Sequence, residues 1–192
     1  MKSVILGSSS RTRKMLLERL EVPFKTISPN IDETPYANEQ PFQLASRLAA
    51  EKCEAVKLID NTLPIITSDQ VMYLDSNIIG KPKSKAHAIS IIQSCSGKVV
   101  EFFTAIQIHC AQSLQTFATI EKTTVTYRHL VRDEIERYIE RENTMDAAGA
   151  IHCEGLGISL LTSIQSNDPT ALLGLPLIKV SEYLRQLGLQ IP

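Results

Sequence analysis

Short segments rich in Val, Ile, Thr and Phe alternate along this chain with segments whose apolar residues recur every three or four positions. The clearest helical pattern lies within residues 41–58, where one face of the predicted helix is apolar. Such a stripe is typical of a helix that packs one side against a sheet. The alternation as a whole predicts an α/β fold. The apolar face of this helix consists of Leu44, Ala45, Leu48, Ala49, Cys53 and Val56.

Two long β-rich runs, 99–110 and 116–128, are separated only by a short polar link. This spacing predicts an antiparallel hairpin. A first strand near residues 3–7 and another over 64–74 precede the two runs. We therefore expect a mixed sheet rather than an all-parallel one.

The size and charge of the chain limit its function. Its 192 residues, 43% of them hydrophobic, suit one domain spanning residues 1–192, and no repeat or linker divides the sequence. Lys and Arg total 20 against 21 Asp and Glu, so no basic field favours nucleic-acid polymers or anionic membranes. The apolar runs are far shorter than the roughly 20 residues that cross a bilayer. We expect a cytoplasmic protein with no nucleic-acid or membrane partner.

The four cysteines show neither a Cys-x-x-Cys pair nor a regular spacing. This pattern predicts neither a disulfide framework nor a zinc ribbon. We expect reduced thiols at Cys53, Cys95, Cys110 and Cys153.

The first candidate site is a hydroxyl-rich loop between the first strand and a helix. Small residues let backbone N–H groups approach an anion, the helix N-terminus adds positive potential, and Arg13 can fork onto phosphate oxygens. The spacing is not that of a Walker loop. An ordinary serine N-cap followed by exposed basic residues explains the same residues equally well. The loop reads Gly7-Ser8-Ser9-Ser10-Arg11-Thr12-Arg13-Lys14.

An acidic residue within an apolar strand is the second candidate. Asp69 lies in the middle of the 64–74 run, where an unpaired buried charge would be costly. Hydrolysis of a phosphoanhydride needs carboxylates that take a proton from water or hold a divalent metal. Asp69 is therefore the acid we favour. The Asp32–Glu33 pair lies in a loop, where acidic side chains are commonly just solvated.

Two lysines and a glutamate with glycines close by complete the set of candidates. Lys81 is fixed between Gly80 and Pro82, and Lys52 lies beside the apolar stripe of its helix. Either lysine can place a point charge on a phosphate. For Lys52 taken alone, extension of the side chain to solvent is the simpler interpretation. Glycines around Glu154 suit a tight backbone beside a ligand, and a plain turn equally well.

Together and in this order, these pieces resemble the Maf family of nucleoside triphosphate pyrophosphatases. The resemblance runs nearly from end to end, and several spaced motifs in register make it specific. The matching pieces are Ser8–Arg13, Ile31-Asp32-Glu33-Thr34-Pro35, Leu48-Ala49-Ala50-Glu51-Lys52, Ser68-Asp69-Gln70-Val71, Gly80-Lys81-Pro82, Ser96-Gly97, Ala148-Gly149 and Gly174-Leu175-Pro176-Leu177.

The resemblance implies a fold, an activity and a set of roles. The fold would be an α/β structure with an elongated mixed sheet flanked by helices and a central cleft between two lobes, similar to inosine triphosphate pyrophosphatases. The activity would be hydrolysis of a small-molecule nucleoside triphosphate to the monophosphate and pyrophosphate, with Mg²⁺ or Mn²⁺ as cofactor. Asp69 would be the proton acceptor, and Glu33 and Asp69 would hold the metal. The residues implied to tune base choice are Thr12, Gln70 and Glu154. Those implied to contact phosphate are Ser8, Arg13, Lys52 and Lys81.

Three stretches, beginning at Asp69, Cys153 and Asp168, are similar to the branch of the family that acts on 7-methylguanosine triphosphate. Methylation at guanine N7 makes the base cationic, so the acidic Glu154 would favour it over ordinary GTP. Arg11 stands where the family loop usually has proline. Thr12 stands where this branch typically has tryptophan, and the chain has no tryptophan at all. Stacking on the base therefore comes from Tyr or Phe, or is absent.

Two other interpretations stay open. One is a pyrophosphatase for dTTP, UTP or deaminated purines on the same scaffold. The other is a non-catalytic regulator of cell division that senses a nucleotide. The acid at Asp69 favours catalysis. The oligomeric state stays open as well, with a homodimer among the options.

Overall fold

A computed structural model describes residues 3–192, and strands and helices alternate over much of this range. Three short 3₁₀ turns lie at Ala148–Ala150, Leu156–Leu160 and Ala171–Leu173. The strands are β1 (Val4–Gly7), β2 (Phe24–Thr26), β3 (Ile65–Leu74), β4 (Asn77–Ile79), β5 (Val99–Cys110), β6 (Gln115–Tyr127) and β7 (Leu161–Gln165). The helices are α1 (Arg11–Glu18), α2 (Pro41–Ile59), α3 (Lys85–Cys95), α4 (Arg132–Arg141) and α5 (Leu177–Gln186).

The strands form one mixed sheet in the order β2-β1-β3-β5-β6-β7, with β4 paired to β3. β1 runs parallel to both β2 and β3, whereas β4 is antiparallel to β3 and β7 is antiparallel to β6. β5 and β6 are neighbours joined by only residues 111–114, a connection too short for a parallel crossover. The predicted hairpin and the predicted mixed α/β sheet are therefore confirmed.

The register of β1 against β3 fixes where the first candidate loop begins. Leu6 pairs with Ile66 and Gly7 with Thr67. Because the two strands are parallel, the loop that follows Gly7 starts level with the Ser68–Asp69 step of β3. A Cβ at Gly7 would lie 2.6 Å from Thr67 Cγ2, so the close approach of the strands favours glycine here.

The chain divides into two compact units. The first comprises residues 1–69, 104–121 and 168–192, and the second comprises residues 70–103 and 122–167. The long strands β3, β5 and β6 contribute residues to both units.

In the first unit, both faces of the sheet are covered by helices. Val4 and Leu6 face the main apolar cluster, whereas Ile5, between them, joins a second cluster with Ile65 and the α2 residues Cys53 and Val56. Successive residues of a strand point to opposite faces, so β1 is buried on both sides. The main cluster is completed by buried residues of α1, β3, β5, α5 and their connections: Leu16, Leu17, Val22, Ile66, Ile106, Ile108, Leu175, Leu177, Val180, Leu184 and Leu189.

In the second unit, α3 and α4 each bury one face. Ala88, Ile91, Ile92 and Cys95 are the buried residues of α3, and Ile135, Tyr138 and Ile139 those of α4. The Tyr138 hydroxyl bridges two backbone groups: it donates to the Ala150 carbonyl at 3.2 Å and accepts from His152 N–H at 3.0 Å. α4 therefore holds the segment that leads to Glu154.

The predicted strands and helices are present, with bounds that differ by a few residues. Asp75 and Ser76, in the turn between β3 and β4, have positive φ. The sequence does not predict β4, which has three residues, or β7, which is mostly exposed and lacks an apolar alternation. Within residues 3–192, every helix is too short or too polar to cross a bilayer.

Candidate active site

The loop after β1 is both a helix cap and a small, hydroxyl-lined turn. Ser10 is the N-cap of α1, and its hydroxyl accepts from Arg13 N–H at 3.3 Å. Ser8 is buried, and its hydroxyl accepts from Ser10 N–H at 3.1 Å. Thr12 lies in the first turn and is half-buried. The serine cap is therefore confirmed, and anion binding at this helix N-terminus stays a prediction.

A cluster of opposite charges lies beside this loop in the first unit. Asp69 on β3 and Lys52 on α2 are each only 7% exposed, and their side chains form an ion pair. The Lys52 ammonium also lies 2.6 Å from Oε1 of Glu33. Glu33 belongs to the acidic loop, residues 27–40, which joins β2 to α2. The Arg13 charge interacts with both Asp69 and Glu33. Four predicted site residues from α1, the acidic loop, α2 and β3 are thus close enough to interact.

The expectation that Lys52 extends to solvent is wrong. Its position beside the apolar stripe buries it, and the buried ammonium is compensated by the carboxylates of Asp69 and Glu33. Glu33 is half-exposed, but it is paired rather than merely solvated. The pKa of Asp69 is raised above its ordinary value, because the effect of burial outweighs the opposing effect of the positive charges of Lys52 and Arg13. A carboxyl group in this state accepts a proton more readily than an exposed one.

A buried threonine explains why Lys52 and Asp69 meet. Thr67 is fully buried on β3, and its hydroxyl donates to the Ala49 carbonyl of α2 at 2.7 Å. Ala49 is one helical turn before Lys52, and Thr67 and Asp69 are two residues apart, so they lie on the same face of the strand. The hydrogen bond therefore places the lysine next to the acid.

The guanidinium of Arg13 is tied to two backbone carbonyls. Its Nη1 donates to the Ser68 carbonyl at 2.7 Å and its Nε to the Gly174 carbonyl at 2.9 Å. The Ser68 hydroxyl also donates to Gly174 at 2.7 Å. Gly174 has a φ of +96°, a conformation that favours glycine, and this turns its carbonyl towards both donors.

Asp168 organises the segment that ends in Gly174 and α5. It is 2% exposed, and its Oδ1 accepts from the Thr170 N–H at 2.8 Å and hydroxyl at 2.6 Å. Its Oδ2 accepts from Ile178 N–H at 2.7 Å, in the first turn of α5. A carboxylate at a helix N-terminus is favoured by both hydrogen bonding and the helix dipole. Asp168 is therefore structural.

The remaining predicted site residues lie in the second unit. Gln70 is half-buried on β3, and Lys81 is exposed in the segment between β4 and α3. The carbonyl of Gly80, beside Lys81, accepts from Gly149 N–H at 3.2 Å. A Cβ at Gly149 would collide with the Met72 sulfur, and its φ is +67°. Two of the spaced sequence motifs, at residues 80–82 and 148–149, are thus in direct contact.

Glu154 belongs to a small titratable cluster. Its Oε1 lies 3.3 Å from His152 Nδ1, and the other ring nitrogen of His152 lies 3.0 Å from Asp146 Oδ1. The hydrogen bond to Glu154, followed by the one to Asp146, raises the pKa of His152 to about 9. His152 is therefore an imidazolium at neutral pH, and it partly neutralises the carboxylate that is predicted to select the base.

Comparison with known proteins identifies the family. The family model described as Maf-like protein matches residues 3–187. The chain belongs to the Maf family. It is 44% identical over 189 residues to a 7-methyl-GTP pyrophosphatase of Aromatoleum aromaticum, covering 98% of this chain and 97% of the relative. Relatives of the same name from Xanthomonas oryzae pv. oryzae and Pseudomonas aeruginosa are 44% and 42% identical over 192 residues, each with complete coverage.

Among solved structures, the Staphylococcus aureus Ham1 protein matches this Maf chain with a TM-score of 0.48 and 13% identity, covering 67% of this chain and 73% of that protein.

The Maf motifs predict most of the charged residues of the candidate site but not the residues that hold those side chains in place. Thr67 was not singled out from the sequence, and Ser68 and Asp168 entered only as parts of matching motifs, although polar residues lie inside an apolar run at 67–69. That signal could have singled out Thr67 and Ser68, but not Asp168, which lies outside this strand. His152 beside Glu154 gave no comparable signal, because its role depends on Asp146, which is six residues away.

Proposed function

We propose that this chain hydrolyses 7-methyl-GTP to 7-methyl-GMP and pyrophosphate, with Asp69 as the general base. The observation that carries the proposal is the buried cluster in which Asp69, Lys52, Glu33 and Arg13 interact. A buried acid within reach of cations suits activation of water beside a polyphosphate. The names of relatives that match over nearly their full length support the substrate class.

We propose a step for each residue of the cluster. Asp69 accepts a proton from the water that attacks the α-phosphorus while the bond to the β-phosphate breaks and pyrophosphate leaves, and its burial-raised pKa favours that transfer. The ammonium of Lys52, already beside Asp69, stabilises charge that develops on the phosphates. Arg13 donates to two carbonyls, and a guanidinium carries five N–H donors, so donors remain for phosphate oxygens. The hydroxyl of Ser8 and the N-terminus of α1 add to the anion-binding potential.

The residues present fit a divalent cation that is shared with the substrate. Glu33 and Asp69 both contact the Lys52 ammonium, so two carboxylates face the same point. Within residues 3–192 no group of three or more His, Cys, Asp or Glu side chains is arranged as a metal site. Mg²⁺ commonly uses one or two carboxylates and takes its other ligands from phosphates and water. When bound, Mg²⁺ or Mn²⁺ would neutralise phosphate charge. Glu33 and Asp69 are the residues we propose as its ligands.

The alternatives make different predictions. A pyrophosphatase for dTTP or UTP would release pyrophosphate from those nucleotides in preference to 7-methyl-GTP. A nucleotide-sensing regulator would bind stoichiometrically and release none. The buried acid favours catalysis, because burial raises the pKa of Asp69 and suits this residue to accept a proton from water. A cytoplasmic location and a homodimer stay predictions.

The test is a pyrophosphate-release assay over 7-methyl-GTP, GTP, dTTP and UTP, with and without Mg²⁺ or Mn²⁺. Asp69→Asn should lower kcat by about 100-fold or more and leave nucleotide binding by calorimetry largely intact. The matched control is Asp75→Asn, whose exposed side chain pairs with Lys98 at 2.6 Å in the second unit. Near-normal turnover in Asp69→Asn would remove Asp69 from the mechanism, and a preference for dTTP or UTP would reassign the substrate.

A further inference from the structure

Arg47 on α2 makes an unusually complete set of contacts with the acidic loop that carries Glu33. Its Nε lies 2.7 Å from Glu39 Oε1 and its Nη2 lies 2.8 Å from Glu39 Oε2, a bidentate pair. Nη2 also donates to the Thr34 carbonyl at 3.1 Å. The guanidinium stacks on the ring of Tyr36, with Cζ 3.9 Å from its centroid. One side chain therefore contacts three residues of the loop.

The acidic loop needs such an anchor because residues 28–35 have no regular secondary structure. Its own hydrogen bonds are local: Asp32 Oδ1 accepts from Thr34 N–H at 2.9 Å, and Glu39 Oε2 accepts from Tyr36 N–H at 2.9 Å. Local turns fix the shape of short segments but do not attach them to the rest of the protein. The Arg47 contacts provide that attachment, one of them at the residue directly after Glu33.

We infer that Arg47 is a positioning residue that clamps the 34–39 segment onto α2 and so keeps Glu33 on Lys52. Glu33 lies 2.6 Å from the Lys52 ammonium. Arg47 and Lys52 are on the same helix, five residues apart, so the helix sets the distance between the clamp and the charge cluster. Glu51 completes the arrangement, with both of its carboxylate oxygens 3.2 Å from Arg47 Nη1.

Lysine cannot replace Arg47 in this role. The contacts use the planar fork for Glu39, a further N–H for Thr34 and the flat face for Tyr36, whereas an ammonium is a compact point charge. Arg47→Lys therefore keeps the positive charge and the helix but removes the bidentate pair with Glu39 and the stacking on Tyr36. The matched control is Lys57→Ala, which breaks the ion pair with Glu54 on the same helix.

The first arm of the test measures the loop directly by hydrogen exchange. The amides of Tyr36 and Glu39 are bonded within the loop. Arg47→Lys should speed their exchange by about tenfold, and Glu39→Gln should act in the same direction. Lys57→Ala should leave them unchanged. Unchanged exchange in both Arg47→Lys and Glu39→Gln would overturn the inference that Arg47 holds the 34–39 segment on α2.

The second arm separates positioning from general stability, and it rests on the proposed function. Arg47→Lys should lower kcat/KM for pyrophosphate release by about 10- to 100-fold, as expected when a site residue is misplaced. If Arg47 acts through Glu33, the double variant with Glu33→Gln should stay within about twofold of Glu33→Gln alone. If the double variant instead lost activity by the product of the two single-variant factors, the inference would be overturned. If wild type releases no pyrophosphate from any triphosphate, the proposed function fails. The hydrogen-exchange measurement would still test whether Arg47 holds the 34–39 segment.

Discussion

Arg13 Nη1 donates to the Ser68 carbonyl at 2.7 Å, so α1 is hydrogen-bonded to the strand residue directly before Asp69, the candidate base. The same guanidinium donates to Gly174. Arg13 thus holds β3 and the turn before α5 at one point, besides carrying charge next to Asp69 and Glu33. A residue predicted only as a phosphate contact therefore also supports the geometry of the candidate base.

Arg13→Lys should lower kcat by about tenfold or more even though the positive charge is kept, because lysine cannot donate along two fixed directions at once. Steady-state pyrophosphate release checks this. Arg11→Lys is the matched control, since Arg11 is exposed and lies in the same turn of α1. Equal activity in the two variants would mean that the paired carbonyl contacts of Arg13 are dispensable.

Lys52→Met should lower both activity and stability. Methionine fills the volume but leaves the buried Asp69 without its ammonium, and removing one partner of a buried pair typically costs about 3–5 kcal/mol. The nearby Arg13 offsets part of that cost. We expect a clear fall in Tm and a fall in kcat/KM of about 100-fold. Lys57→Met, on the same helix but in a surface pair with Glu54, should change Tm little.

Asp168→Asn should destabilise the protein. Asparagine offers one oxygen where Asp168 accepts from both Thr170 and Ile178, so an amide NH₂ would face an N–H donor. Leaving a buried donor unsatisfied costs about 1–3 kcal/mol. Urea unfolding measures this loss, and the exposed Asp75→Asn serves as the reference. A difference below about 0.5 kcal/mol would show that the segment rearranges around the amide.

The protein should lose stability as pH rises from neutrality to about 9 because of His152. Its pKa is raised in the folded state to about 9 by Glu154 and Asp146. The stabilising charge is therefore fully present below the unfolded value of about 6.5 and is lost as pH rises through the folded pKa. Since Asp146 is 70% exposed, the loss should be on the order of 1 kcal/mol. Urea unfolding between pH 6 and 9.5 should show a steeper decline for wild type than for His152→Gln.

Substitutions at Glu154 and His152 should shift substrate preference in opposite directions. Glu154→Gln removes the carboxylate that favours a cationic base, so the ratio of kcat/KM for 7-methyl-GTP over GTP should fall. His152→Gln removes the imidazolium 3.3 Å from that carboxylate, so the ratio should rise. Parallel assays of the two substrates below pH 8 test both variants. A ratio unchanged in Glu154→Gln would refute the base-selecting role of this residue.

The sequence by itself determined the repeating pattern of the fold and the identity of the charged residues. The stripe of α2 and the β-rich runs fix which faces are buried, because a buried face must repeat with the period of its own helix or strand. Asp69 was recognisable for the same local reason: a carboxylate inside an apolar strand needs a partner. For its partner Lys52, helical spacing taken alone predicted a side chain that extends to solvent, and that interpretation was wrong, since spacing along a helix does not say what covers that helix.

Only the tertiary structure decided which distant groups meet. Arg13 reaches a carbonyl 161 residues away at Gly174, and Thr67 ties β3 to α2 across 18 residues. The attachment of the acidic loop by Arg47 likewise depends on how segments pack. Hydrogen bonds and ion pairs act over a few ångströms in space, and no local period in the sequence records which segments the fold brings within that range.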